Sequence, residues 1–452
     1  MEKIFGQKWT FTKFSKFVFP SILTLIFIAL YGMVDGIFIS RYVGKEALAG
    51  LNMVLPVVST SLALALMLSA GTNTIIAIKL GEKKEKEARE LFTYSIFLTI
   101  ITGFIMAVLT ILFIDQILGL LGVNEKLYEY SKTYIMIYAI FFPIYVPKIF
   151  FEYATRTDGN AGYSLFLCVI GGVINIILDY LFIGVYGWGI AGAAWGTVLG
   201  LLFAFIAGFL YFLKPKILKL SKFKFNFKFI IESIYIGASN FVNQFSISIA
   251  TLLFNNIALK YYGELGVAAI SIIMYINFMV FSVMIGMSTG MQPVISYNFG
   301  SKNYDNIKRV INFAMIIGFT FAIISFLFTY FYNSLIINLF SKDDPALKNL
   351  VEHGFKFISF AYLFSGFNII NASTYAALKE SLKSIIISIN RSLVFIVMGL
   401  IIMTNLFEAD GLWLTTAFAE FITFITSLLF MIKDVQNSKI FKNKQIIYST
   451  KK

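Results

Sequence analysis

What most restricts this chain is a succession of long apolar runs. Twelve lie near 17–39, 47–78, 92–113, 133–151, 163–183, 189–213, 229–258, 265–297, 310–332, 354–376, 383–403 and 411–432. Each reaches or approaches the ~20 residues a helix needs to cross the hydrocarbon core. Lipid offers no partner to a free N–H or C=O, so such runs must satisfy their backbones as helices. Charged residues make up 13% of the 452, about half the share in a soluble domain. An all-α integral membrane protein with twelve transmembrane helices is expected. Several runs exceed the minimum, which predicts tilted or kinked helices.

Charge placement then orients the chain. Most of the 37 Lys and Arg fall in the amino-terminal tail, the even-to-odd loops and the carboxy-terminal tail. Positive charge stays on the cytoplasmic side, so both termini are expected there, in a multi-pass bacterial inner-membrane protein. The net charge of +13 then reads as topology-setting and implies no nucleic-acid partner. The first run is full length and lacks a small-residue cleavage site, unlike a signal peptide. Cys168 and His353 are the only residues of their types. They leave no internal disulfide and argue against a Cys/His metal or haem site.

The chain repeats. A shift of 219 residues lays 41–81 over 260–300 without a gap. Tyr42, Gly44, Ala49, Ser69, Gly71, Ile76 and Gly81 then match Tyr261, Gly263, Ala268, Ser288, Gly290, Ile295 and Gly300. Six helices per half is an even number, so both halves enter the membrane from the same side. This predicts two six-helix bundles, 1–213 and 229–452, related by a pseudo-two-fold axis along the membrane normal. The basic stretch 214–228 reads as a solvated cytoplasmic linker, and the second bundle ends in a cytoplasmic tail.

Acids inside apolar sequence are the candidate working groups. Each such acid is held against a desolvation penalty of roughly 3 kcal/mol or more and marks a function by default. Asp35 and Asp179 each lie four residues before the outer end of an ascending helix, about 6 Å inside that edge. Tyr31 precedes Asp35, and Asn175 precedes Asp179, by four residues on the same helix face. Thr197, on the next descending helix, falls at a depth similar to Asn175. These oxygen-bearing side chains can converge on one pocket. Two carboxylates there could exchange protons or hold sodium, a hard cation.

The second half differs. Arg391 and Glu420 fall at matching depths, and mutual neutralisation as a structural ion pair is expected. Asn240, Gln244, Ser248, Thr251 and Asn255 form a polar stripe on helix 7, facing either a wet cavity or a neighbouring helix. Met284, Met287 and Met291 form an apolar stripe on helix 8. Methionine surfaces suit promiscuous binding, and packing is the competing reading. Asn240, Gln244, Ser248 and the three methionines are the candidate substrate-cavity residues. The chain has a single histidine and no Walker-type loop, so no enzyme and no cofactor are expected.

Four stretches resemble the multidrug and toxic compound extrusion (MATE) family, particularly its MepA-like branch. They are MVDGIFISRYVGKEALAGLN at 33–52, RTDGN followed by GGVINIILDYLFI at 156–183, GIAGAAWGTVLG at 189–200, and GMQPVISYNFGSKNYDNIKRV at 290–310. The resemblance covers about 15 to 433. It implies two six-helix lobes in a V, exporting organic cations against an inward flow of H+ or Na+. The family's acidic network corresponds to Asp35, Asn175, Asp179 and Thr197, with Tyr31 beside it, and its kink proline to Pro20, as fixed bend or hinge. The proline that commonly follows the acid of helix 5 in this branch is Tyr180 here. Asn243 and Gln244 stand where some members carry an acid in helix 7, so a second sodium site is not carried over.

These readings converge on a secondary-active exporter of cationic, amphipathic compounds. It is expected to act as a monomer within the lipid bilayer, with the ion bound at Asp35 and Asp179. The alternative within transport is a flippase for lipid-linked cell-wall or polysaccharide precursors, which would want a strongly basic cavity.

Overall fold

Each apolar run closes its backbone hydrogen bonds within itself, and a helix results from every one. The fold is given by a computed structural model that describes residues 2–333 and 344–437. The first lobe comprises α1 (Phe11–Phe38), α2 (Lys45–Gly81), α3 (Glu85–Leu112), the bent pair α4 (Glu125–Ile140 and Phe142–Thr157), α5 (Ala161–Asp179) and α6 (Gly189–Tyr211). Phe227–Gly300 is continuous by hydrogen bonding but breaks at Gly263. It therefore supplies two spans, α7 (227–262) and α8 (264–300). The second lobe continues with α9 (Tyr304–Phe331), α10 (Pro345–Ile358 and Tyr362–Ala377), α11 (Ser381–Ile389 and Phe395–Phe407) and α12 (Asp410–Asn437). The expected tail at 438–452 lies outside the described residues.

The 219-residue repeat is visible in the backbone. Gly44 (φ 118°) and Gly263 (φ 62°) are repeat equivalents, and each makes the turn joining its lobe's first two helices in the left-handed region. A side chain there is strained. Gly81 and Gly300 are also equivalents. A Cβ on Gly81 would lie 2.0 Å from the Tyr297 carbonyl oxygen, and one on Gly300 would lie 2.1 Å from that of Ile78. Ile78 and Tyr297 are themselves 219 apart, so the pseudo-two-fold axis passes between these contacts.

Among the described residues, the lobes share a core at the end of the molecule that holds the amino terminus. Phe5, Trp9, Phe14, Ile76, Leu80, Phe92, Met291 and Val294 form part of one buried cluster there, drawn from both halves. Farther from that end, Val54, Ile135 and Val198 belong to a cluster of the first lobe. Phe254, Ile273 and Trp413 belong to a separate cluster of the second. The segment Glu2–Gly6 bridges the lobes: Ile4 packs on Gly159, while Asn298 Nδ2 donates to the Phe5 carbonyl at 3.0 Å.

The linker is tied down rather than simply solvated. Asp158 accepts from the backbone N–H groups of Lys216, Ile217 and Leu218 at 2.8, 2.9 and 2.8 Å. Tyr211 Oη donates to the same carboxylate at 2.8 Å. Leu218 is fully buried.

Candidate functional site

Both acids sit where α-helical geometry gives way. Asp179 ends α5 and is followed by a π-helical segment, Tyr180–Val185. The missing proline is thus replaced by a different device that also changes the helix after the acid. A second π-helical segment, Ile39–Val43, follows α1 four residues beyond Asp35. Such wide turns leave backbone groups and side chains re-aimed, and they recur at functional positions.

Side chains from α1, α4, α5 and α6 meet there. Asp179 is fully buried and Asn175 nearly so. Asn175 Nδ2 donates to Asp179 Oδ2 at 3.1 Å and reaches Thr197 Oγ1 at 3.4 Å. The carboxyl of Asp35 lies within hydrogen-bonding reach of that of Asp179. One oxygen of each acid, Asp35 Oδ1 and Asp179 Oδ1, is buried without a hydrogen-bond partner. Tyr31 faces Asp35, and its ring edge lies against Gly172. The five expected residues are therefore gathered at one place. Gly196 makes this possible, since a Cβ there would stand 2.2 Å from Asp179 Oδ1.

Two carboxylates in contact inside an apolar lobe cannot both remain ionised and unaccompanied. At about 4 Å and an effective dielectric near 20, their repulsion is about 4 kcal/mol. A shared proton, or a cation bound between oxygens, removes it. The arrangement can therefore take up one positive charge and release it.

Tyr134 of α4 belongs to the same site, though the sequence reasoning missed it. It lies beside Thr197 and close enough to both acids to feel their charge. Helix 4 hid more. It extends over 125–157 rather than 133–151 and bends by 60°. Its second part buries Lys148, Glu152 and Arg156, which are 6%, 4% and 6% exposed. The latter two lie outside the apolar run 133–151. The four-residue spacing of Lys148, Glu152 and Arg156 is the available signal.

In the second lobe, Arg391 Nη2 and Nε donate to Glu420 Oε1 at 2.7 and 3.1 Å. Asn368 Nδ2 donates to Glu420 Oε2 at 2.7 Å. Arg391 Nη1 is 3.5 Å from Asn243 Oδ1. A cavity of about 70 Å3 lies beside this pair, lined in part by Asn240, Asn243, Ser288, Ser373 and Arg391. Gln244 and Ser248 continue along α7, partly exposed, and are not among its walls. Met284, Met287 and Met291 are all buried. They pack inside apolar clusters, and Ser365 Oγ donates to the Met284 sulfur at 3.4 Å. Pro20 lies within α1, where Thr24 Oγ1 caps its carbonyl at 2.8 Å.

Comparison with known proteins adds a family and a fold. The MatE family model matches residues 20–181 and again 240–401, one block in each lobe. The multidrug export protein MepA of Staphylococcus saprophyticus is 23% identical over 437 residues, covering 95% of this chain and 96% of that protein. A crystal structure of MATE in complex with MaL6 superposes with a TM-score of 0.90 at 22% identity, covering 95% of this chain and 97% of that one. A multidrug resistance MATE family transporter in an outward-facing conformation gives 0.89 at 22%, with the same coverages.

Proposed function

The chain belongs to the MATE family of membrane transporters, and from that premise we propose that it exports cationic, amphipathic compounds by antiport with H+ or Na+. The supporting observation is the meeting of Asp35 and Asp179 in a buried, oxygen-lined pocket. With the pocket charged, the two acids drive α1 and α5 apart. With a proton or cation bound, the helices can close.

The change does not stay local. On α8 of the other lobe, a Cβ at Gly286 would lie 2.6 Å from the Ile22 Cα of α1. The helix carrying Asp35 is thus packed on the seam between lobes, with Pro20 close to the contact. About 4 kcal/mol of relieved repulsion corresponds to nearly a thousandfold shift in a two-state equilibrium. That is ample to exchange the two access states. A ligand moves such an equilibrium only through its differential affinity for the two states. Export therefore needs the compound to favour the state that the ion disfavours.

With both termini cytoplasmic, as the positive-inside rule expects, the shared core closes the cytoplasmic end and the V opens outward. The ion then enters from outside. Among the described residues, Lys148 pairs with Glu152 and Arg391 with Glu420, while Arg156 is held by the Glu152 carbonyl and Ser164 Oγ. That pairing lends no support to a pyrophosphate-binding flippase pocket. A single chain holds the whole site, which suits a monomer.

The test is uptake of a fluorescent organic cation into proteoliposomes, with proton and sodium gradients imposed separately. One gradient should drive it in the native protein and neither in Asp179→Asn, with the variant present at native levels. Gradient-driven transport retained in Asp179→Asn overturns the proposal.

A further inference from the structure

The first lobe buries a second ionisable cluster, and the acid pair has no need of it to form its own pocket. Lys148, Glu152 and Arg156 occupy successive four-residue steps on one face of α4. Lys148 Nζ pairs with Glu152 Oε1 at 2.6 Å. Arg156 Nε donates to the Glu152 carbonyl at 3.0 Å and to Ser164 Oγ at 3.1 Å. Its guanidinium lies 4.4 Å from the centre of the Tyr153 ring. A buried ion pair is seldom the most stable filling for such a space, because apolar residues of similar volume do as well or better. Packing alone does not account for three charges here.

The cluster lies between the acid site and the amino-terminal end. Asp158 closes α4 at that end, so Glu152 is about 9 Å from it, while Asp179 is about 27 Å along α5 from its own start at Ala161. Polar groups fill the interval. Tyr31 of α1 packs its ring edge on Gly172 of α5, between Cys168 and Asn175 in sequence. The ring centroids of Tyr138 and Tyr145 are 5.7 Å apart. Tyr145 faces Glu152. The ring centroids of Tyr134 and Tyr138 are 6.1 Å apart. The groups brought to Glu152 are thus Lys148, Arg156, Tyr145 and Tyr153 from α4, Tyr31 from α1, and Cys168 from α5.

The far end of the cluster reaches the seam. Arg156, Tyr153 and Thr157 line a cavity of about 10 Å3 with Asn73 and Thr74 of α2 and Thr289 and Gln292 of α8. That is about the space of one water molecule. Gln292 Nε2 donates to Thr74 Oγ1 at 3.0 Å across the lobes. Parting of the lobes would break this bond and open the cavity beside Arg156 to the amino-terminal side.

We propose that Glu152, paired with Lys148, is the inner proton-exchange station of this transporter, so that the coupling ion is H+. This rests on the reading of Asp35 and Asp179 as the ion site. An O–H bond at the acid pair breaks and one forms at a Glu152 carboxylate oxygen, the proton crossing the interval on water or a tyrosine hydroxyl. The Lys148 ion pair opens as Glu152 becomes neutral. The proton then leaves to water at the seam beside Arg156, and the pair re-forms.

Proteoliposome uptake separates the possibilities. Glu152→Gln should lower proton-driven transport at least tenfold while retaining substrate binding and downhill substrate exchange. Azide, a small weak acid that can carry the missing proton, should restore part of the rate. Because Glu152→Gln leaves Lys148 unpaired, Lys148→Met/Glu152→Leu serves beside it as a dry, uncharged replacement. It should fold and show the same selective loss. Full proton-driven transport in the double variant overturns the relay, as does native transport driven by sodium alone. In either case a dead Asp179→Asn leaves the acid site standing, whereas an active Asp179→Asn removes the premise itself.

Discussion

Gly196→Ala asks how closely the acid site is fitted. A methyl carbon there would stand 2.2 Å from Asp179 Oδ1 and 3.3 Å from the Asp179 nitrogen. Carbon and oxygen in contact normally keep about 3.3 Å or more, so the carboxylate must retreat by about 1 Å. Helix separation is a poor alternative, because Gly200 one turn later already stands against the Gly171 carbonyl. Overpacking of this kind costs about 1–3 kcal/mol, and alanine's better helix propensity returns about 1 kcal/mol. Net stability should fall by no more than about 2 kcal/mol. Retreat of Asp179 strains its 3.1 Å bond from Asn175 and its approach to Asp35. A hydrogen bond to a charged group contributes about 1.5–3 kcal/mol. Gradient-driven uptake should therefore drop by roughly ten- to a hundredfold. The assay is proteoliposome uptake beside thermal unfolding in detergent. Gly32→Ala is the control, since nothing lies within 4 Å of the Cβ position in the same lobe. It should transport normally. Full transport by Gly196→Ala would refute the claim that Asp179 must sit where it does.

Two further outcomes follow from the fold. Glu420→Gln removes the partner of buried Arg391, and stranding a buried charge costs about 3–5 kcal/mol. Expression and thermal stability should fall more than the transport rate of the protein that folds, and normal stability with abolished transport would reverse that assignment. Gly263→Ala places a side chain at φ 62°, which costs roughly 1–2 kcal/mol. Gly44→Ala should behave alike, and thermal unfolding of both variants checks that the two turns are equivalent.

The legible parts of this protein were those where one residue type alone answers a physical demand. An acid inside an apolar run has few explanations, and Asp35, Asp179 and Asn175 stood out for that reason. The repeat was legible because Gly44, Gly263, Gly81 and Gly300 meet backbone constraints that other residues violate. Helix 4 was less legible. Its first part, EKLYEYSKTYIMIYAI, carries charges where it leaves the lipid, and the 60° bend interrupts the periodicity. Glu152 and Arg156 thus looked like loop residues although both are buried. The methionine stripe was ambiguous in another way. Periodicity tells which residues share a face but not what that face meets, and α8 turns these three into the packed interior.

This difference bears on how the lobes divide their work. In the second lobe the intramembrane charges Arg391 and Glu420 neutralise each other, although Asn368 Oδ1 beside them has no hydrogen-bond partner. Glu420 Oε1 takes both near donors of Arg391, and its Oε2 is held by Asn368. The first lobe's set is open, with one oxygen on each of Asp35 and Asp179 left without a partner inside the protein. A buried charge neutralised within the protein holds one arrangement, while one left unneutralised costs free energy until something binds. Two lobes built on one repeat therefore differ where function requires it. On the proposed reading the second lobe gives α8 a fixed surface, and the first carries on α1 the group whose charge sets how α1 lies against it.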